Sequence, residues 1–280
     1  MSAPIVAAHF NSGGIRQNVR PESRMTAQEQ FLEPDDPGRA RLALSWAPGT
    51  DAAAPVWVLL HGLGSDRQGG KAVRFRDHLS GRGPGFLSLD FTGHGDSGGD
   101  CHGLSLTRNL EDVGRAVSFL REEAPRAPLI LVGSSMGGIA ALWYAALHPG
   151  DIHRVFAIAP AFLMAARFAA SLSAEARRDW ANRGFVPVPV GDRDLEIGWG
   201  IVADEDGYGM ERLGEALQTP SLLLHGAEDA VVPPELSRDF ADLCRAAELT
   251  EIEDGDHRMS EHKDLLFEIM WTAATRVPAN

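Results

Sequence analysis

The chain has 280 residues, 44% apolar and 23% charged, enough to bury one large α/β core or two small ones without disulfides or metals. Its 26 Lys and Arg against 39 Asp and Glu leave a net charge of −13. That charge repels phosphate backbones and speaks against nucleic acid as a partner. Runs of about 18 uninterrupted apolar residues are absent, so no membrane-spanning helix is expected. The two cysteines, Cys101 and Cys244, lack CxxC spacing, so neither a disulfide framework nor a structural zinc site is expected, and a reducing, cytoplasmic compartment is.

In chain order, residues 1–39 read as a partly flexible N-terminal extension. Residues 1–24 carry Arg16, Arg20 and Arg24 with one acid, Glu22, and lack the apolar stretch of a secretory signal. A tail, a targeting segment and a true start at Met25 are the readings for them. Residues 41–46 (RLALSW) alternate as a half-buried edge strand does. Apolar runs at 56–60, 86–90, 129–132, 155–159 and 222–224 predict strands buried on both faces, as in a parallel sheet covered by helices. Helical spacing marks 106–124 (Leu110, Val113, Val117, Leu120), 136–147, 234–247 (Leu236, Phe240, Leu243) and a last helix with Leu265, Leu266, Ile269 and Met270. Such alternation predicts an α/β fold with a mostly parallel, doubly wound sheet and right-handed crossovers.

The stretch between the strands at 155–159 and 221–224, about 60 residues, is too long for a plain connection. It predicts a helix at 164–183, a Pro/Gly/Asp-rich span at 184–200 and a helix near 209–217. We read 161–216 as a small inserted cap on a core formed by 40–160 and 217–280. Its aromatic residues Phe162, Phe168, Trp180, Phe185, Trp199 and Tyr208 either line a pocket or pack on one another.

Two segments fit G-x-S-x-G. Gly133-Ser-Ser135-Met-Gly137 follows a predicted buried strand and opens a helix, the context of a sharp turn that lifts a serine above a sheet. Gly95-Asp-Ser97-Gly-Gly99 spells the GDSGG of trypsin-type enzymes, but those are all-β, and no helix follows Ser97. Ser135 is therefore the candidate nucleophile. Its activating base is expected C-terminal to it and the acid between the two. His257, in a loop ahead of the last helix, is the candidate base. His225 ends a buried strand and suits a structural hydrogen bond, while His148 and His153 flank Pro149. Asp229 is the candidate acid, with Glu228 the runner-up and Asp254 and Asp256 read as solvated loop charge. His61-Gly-Leu63-Gly64 ends another strand, where glycine lets backbone approach a substrate oxygen. The N–H groups of Leu63 and Met136 are the candidate oxyanion donors. His61 precedes Ser135 and reads as a side chain bonded to loop backbone. HExxH and GxxxxGK[ST] are absent, and DRQGGK at 66–71 is only superficially like the latter.

HGLG at 61–64, DFTGHGDSGG at 90–99, GSSMGG at 133–138, HGAEDAVVP at 225–233 and GDHRM at 255–259 together resemble the α/β-hydrolase superfamily across residues 40–275. The resemblance implies the α/β-hydrolase fold, a serine hydrolase with Ser135, Asp229 and His257 as its triad, and no cofactor. GSSMGG combined with GDHRMSE is similar to a narrower branch: the mitochondrial palmitoyl-protein thioesterase, abhydrolase domain-containing member ten, and its bacterial relatives. LSAEAR at 172–177 is compatible with that branch, whose members cleave acyl esters and thioesters. Dehalogenases and epoxide hydrolases would need Asp at position 135 and are set aside. The expected substrate is a small-molecule acyl ester or thioester. An amidase or peptidase, an acyltransferase, or a binding sensor with a sluggish triad are the alternatives. The sequence gives no oligomeric state.

Overall fold

The computed structural model describes residues 25–34, 36–190 and 193–276; the alternatives for residues 1–24 fall outside the described residues. Eight strands form the main sheet: β1 (Gln28–Leu32), β2 (Leu42–Ala47), β3 (Val56–Leu60), β4 (Gly85–Leu89), β5 (Leu129–Ser134), β6 (Arg154–Ile158), β9 (Ser221–Gly226) and β10 (Ala247–Ile252). Their spatial order is β1-β2-β4-β3-β5-β6-β9-β10. Only the β1–β2 and β2–β4 pairs are antiparallel.

The period-two geometry of a strand sorts the apolar runs between two cores. Val56, Val58 and Leu60 of β3 enter one, whereas Trp57 and Leu59 enter the other. The first core is covered by α2 (Leu106–Glu123), α3 (Met136–Leu147) and α8 (Pro234–Leu243), and the second by α1 (Gly70–Leu79) and α9 (Lys263–Thr275). Helix α2 starts where the Ser105 side chain accepts the Arg108 N–H at 3.0 Å. It buries Leu110, Val113, Val117 and Leu120, each contributing roughly 1.5–3 kcal/mol. No helix among the described residues is long and apolar enough to cross a membrane.

Several elements depart from the sequence reading. The span read as an N-terminal extension holds β1, an edge strand paired with β2. Helix α1 went unread because Gly69-Gly70-Lys71 looks like a loop, yet Ala72, Phe75 and Leu79 make its buried stripe. Helix α8 stops at Leu243, and the residues from Ala247 belong to β10. The expected helix at 164–183 is two, α4 (Met164–Ser171) and α5 (Ala174–Arg183). The break falls at Ser173, whose side chain caps α5 by accepting the Ala176 N–H at 3.1 Å.

The Pro/Gly/Asp-rich span is an antiparallel hairpin, β7 (Phe185–Val190) and β8 (Arg193–Gly198). Pro187 and Pro189 alternate outward, and a two-stranded ribbon is all edge, so their missing N–H groups are tolerated. The segment continues through α6 (Gly200–Glu205) and α7 (Met210–Ala216). Trp180 Nε1 donates to the Ile197 carbonyl at 2.9 Å, tying α5 to the hairpin. The hairpin base rests on the core: a Cβ on Gly198 would stand 1.7 Å from the His102 carbonyl oxygen, so only glycine fits there.

Candidate active site

Ser135 stands between β5 and α3 with φ 52° and ψ −115°, a left-handed conformation that costs a non-glycine residue about 1–3 kcal/mol. Surrounding backbone holds it there. Its N–H donates to the Ile158 carbonyl (2.9 Å) and its carbonyl accepts from Ala161 N–H (3.1 Å), so both sides of the turn are pinned to the end of β6. A Cβ on Gly133 would lie 2.1 Å from the Gly137 oxygen, and one on Gly137 would lie 2.2 Å from the Leu60 oxygen. Both glycines are therefore steric requirements of the turn.

His257 Nε2 lies 3.1 Å from Ser135 Oγ, and its Nδ1 lies 2.7 Å from Asp229 Oδ2. Asp229 is in the loop after β9. That loop is sewn to the loop carrying His257 by the Glu228 N–H, which donates to the Gly255 carbonyl at 3.0 Å. A Cβ on Gly226 would meet the Gly255 oxygen at 2.0 Å, so glycine there permits the approach. The buried Asp229 carboxylate takes four donors. Val231 and Val232 N–H reach Oδ1, both at 2.8 Å, and the two histidines His257 and His225 reach Oδ2. Burial alone would raise this carboxyl, but the bonds from His225, His257 and the Val232 N–H outweigh it and hold it well below the usual carboxylate range.

The other candidates are placed as follows. Glu228 is exposed. Asp254 pairs with His262 at 2.9 Å, and Asp256 accepts the Met259 N–H at 2.6 Å. Ser97 Oγ donates to the Asp90 carbonyl (2.7 Å) and accepts the Ala43 N–H (2.9 Å), which commits its hydroxyl to the 90–99 loop. His61 bonds backbone on both sides, Nδ1 to the Gly62 carbonyl (2.8 Å) and Nε2 to the Phe91 N–H (3.0 Å). These partners require the neutral ring with its proton on Nδ1. Burial pulls its pKa down to about 4, against the Gly62 bond. Gly62 packs on the serine turn, with a hypothetical Cβ 3.2 Å from Ser135 Cβ, which brings the Leu63 backbone beside it. Met136 is the first residue of α3, so its N–H has no carbonyl one turn earlier to bond.

His225 makes the structural hydrogen bonds expected of it, and the structure supplies their partners. Its Nε2 faces both Asp229 Oδ2 (3.1 Å) and the Val232 carbonyl (3.0 Å), and Nδ1 faces Ser237 Oγ (2.7 Å). A carbonyl only accepts, so Nε2 carries a proton, and Nδ1 and the Ser237 hydroxyl share the other bond of the ring. The buried ring thus braces the carboxylate from behind.

Ser135, His257 and Leu63 line a cavity of about 950 Å³. Of the six aromatic residues in the 161–216 segment, Phe168 and Trp180 line it. Phe162 packs on Phe240, Trp199 on Trp180, Tyr208 on Trp143, and Phe185 stacks on His102. Lys71, Arg258 and Lys263 also line the cavity, the first far in sequence from the other two.

By its fold and by the family and relatives it matches, the chain is an enzyme of the α/β-hydrolase class. The chain belongs to the family described as "Serine aminopeptidase, S33", which it matches over residues 51–198. It is similar to the mitochondrial palmitoyl-protein thioesterase ABHD10 of Bos taurus, 24% identical over 217 residues, 76% of this chain and 70% of that protein. It is also similar to a monoacylglycerol lipase of Mycolicibacterium smegmatis, 28% identical over 220 residues, 70% of this chain and 78% of that protein. The structure of mouse alpha/beta hydrolase domain-containing protein 10 shares the fold, with a TM-score of 0.74 at 24% identity over 88% of this chain and 98% of that one. The likeness to that branch read from GSSMGG and GDHRMSE is borne out.

Proposed function

We propose that the protein is a serine hydrolase that cleaves carboxylic esters or thioesters through an acyl-serine intermediate, with Ser135, His257 and Asp229 as its triad. The observation that carries this reading is the hydrogen-bonded chain Ser135–His257–Asp229 at the wall of the cavity. Ser135 Oγ attacks the acyl carbonyl while His257 Nε2 takes its proton. Asp229 fixes the tautomer that leaves Nε2 free to accept, and it stabilises the imidazolium. The Leu63 and Met136 N–H groups stabilise the tetrahedral oxyanion, each donor being worth on the order of 10²–10³ in turnover. His257 then returns the proton to the leaving alcohol or thiol. A water activated by His257 releases the acid.

The 161–216 segment serves as the cap. Met164, Phe168, Trp180, Ile197 and Ile201 give the cavity apolar surface suited to an acyl chain. The names of the relatives, a palmitoyl-protein thioesterase and a monoacylglycerol lipase, support an acyl substrate. The family description favours a second reading, an aminopeptidase with the same triad. Such an enzyme must hold a substrate ammonium, and among the described residues of the cavity wall the cations Lys71, Arg258 and Lys263 outnumber the one carboxylate, Asp66. The test is a panel with one leaving group and acyl chains from acetyl to palmitoyl, as esters and thioesters, beside aminoacyl amides. Turnover of medium or long acyl esters or thioesters with inert amides is expected. Turnover of the amides alone would overturn the reading.

A further inference from the structure

The cavity wall is divided by chemistry. Its apolar part comes from Leu104, the cap and core residues such as Leu60, Phe75, Ile158 and Val232. Another part comes from the start of α1 at Gly70 and Lys71, the start of α9 at Lys263, and Arg258 in the loop that also carries His257. The Lys263 ammonium reaches over the start of α1, since a Cβ on Gly70 would stand 3.4 Å from Nζ. Among the described residues, none of these three cations has a carboxylate within ion-pair distance. The nearby acids are hydrogen-bonded to other groups, although Asp66 lines the same cavity and Asp256 is close enough to favour the charge on Lys71. Asp256 accepts the Met259 N–H, Asp66 accepts the Gln68 N–H, and Asp264 is gripped by Arg74 and His78. Burial, and then the neighbouring charge of Lys263, pulls Lys71 down to about 8, against the attraction of the Asp256 carboxylate. A chain with 39 acids and 26 bases has carboxylates to spare for neutralising three cations, yet among the described residues none forms an ion pair with these.

We propose that this wall is an anion subsite for the leaving group, so that the enzyme takes acyl esters or thioesters whose alcohol or thiol part carries a carboxylate or a phosphate. The proposal rests on the serine-hydrolase reading. In that reaction His257 delivers a proton to the leaving atom, so the leaving group lies on the His257 side, where Arg258 follows in the same loop. The acyl chain then occupies the apolar part of the wall. The two N-terminal helix dipoles add to the field of the side chains.

Three S-decanoyl thioesters with the same acyl group test it: those of thioglycolate, of 2-thioethyl phosphate and of neutral 2-thioethanol. The ratio of kcat/KM for an anionic thioester to that for the neutral one is expected to be on the order of tenfold or more, carried mainly by KM. It should shrink as salt rises. Lys71→Met and Lys263→Met should each move the ratio toward one, and Lys71→Arg should retain it. Whichever anionic thioester shows the larger ratio distinguishes carboxylate from phosphate. Free 2-thioethyl phosphate or thioglycolate should inhibit wild type at concentrations where 2-thioethanol does not, a readout that needs no variant to fold. A wild-type ratio near one, or a ratio untouched by both methionine substitutions, overturns the subsite. Turnover of the neutral thioester separates the two failures. If it is present without anionic preference, only the subsite fails; if no thioester is turned over and a fluorophosphonate does not label Ser135, the hydrolase reading fails.

Discussion

Asp229 shows how a single carboxylate is held for its task. Two valine N–H groups fix Oδ1, and His225 shares Oδ2 with His257, so the carboxylate cannot turn without losing several bonds. Asp229→Asn should present an amide where His257 needs an acceptor and lower kcat on the order of 10³–10⁴-fold. His225→Asn removes only the brace and should lower kcat by roughly tenfold with KM little changed. Equal rates in wild type and Asp229→Asn would show that the carboxylate has no part in turnover. The candidate Ser135, His257 and Asp229 were legible because their chain order and local context are written in short segments. The structural hydrogen bond of His225 was legible too, but its partner Asp229 was not, because that pairing depends on how the loop after β9 folds back over the strand end. Nor was the cation wall, whose members at 71, 258 and 263 meet only when α1 and α9 pack together.

At the scale of elements, the serine turn is built by what its glycines leave out. Gly137→Ala must push the start of α3 away from the end of β3, because the new Cβ would meet backbone at 2.2 Å. A loss of about 3 kcal/mol or more is expected, seen as a Tm lowered by roughly 6–12 °C. Gly200→Ala is the counterpart. That position has open space at the start of α6, and alanine there should be neutral or stabilise by about 0.5–1 kcal/mol. Similar Tm values for the two variants would contradict this account of the turn. The central strands were legible as continuous apolar runs between turn residues. The β7–β8 hairpin was not, because proline and glycine mark loops in a sequence, whereas here the prolines sit on a two-stranded ribbon and Gly198 allows contact with His102. The break between α4 and α5 follows from the Ser173 cap, a signal present in the sequence but masked by apolar spacing that continues past it.

Across the whole molecule, buried polar groups tie distant segments into one unit. Arg67 bridges Asp90, Asp96 and Glu29, joining the turn after β3, the 90–99 loop and the edge strand β1. Asp112 of α2 anchors the same loop by accepting the Thr92 N–H at 2.8 Å and the Thr92 hydroxyl at 3.1 Å. Burial pushes the Asp112 carboxyl up to about 6, against those two bonds. The folded state therefore holds its proton more tightly than the unfolded chain, whose Asp titrates near ~3.9. The stability this contributes is complete below about pH 4 and lost as pH rises through about 6. Denaturant unfolding of wild type and Asp112→Asn between pH 4 and 8 should show wild type losing stability relative to the variant across that window. A constant difference would mean that Asp112 does not titrate there.

In the proposed mechanism Ser135, and no other serine, carries the acyl group. The direct measurement is turnover of a p-nitrophenyl ester by wild type, Ser135→Ala and Ser97→Ala, with intact-mass analysis of the acylated enzyme. Ser135→Ala should lose at least about 10³-fold in kcat and show no acyl adduct, while Ser97→Ala keeps both turnover and adduct. Full activity in Ser135→Ala, or an adduct mapped to Ser97, would contradict the account.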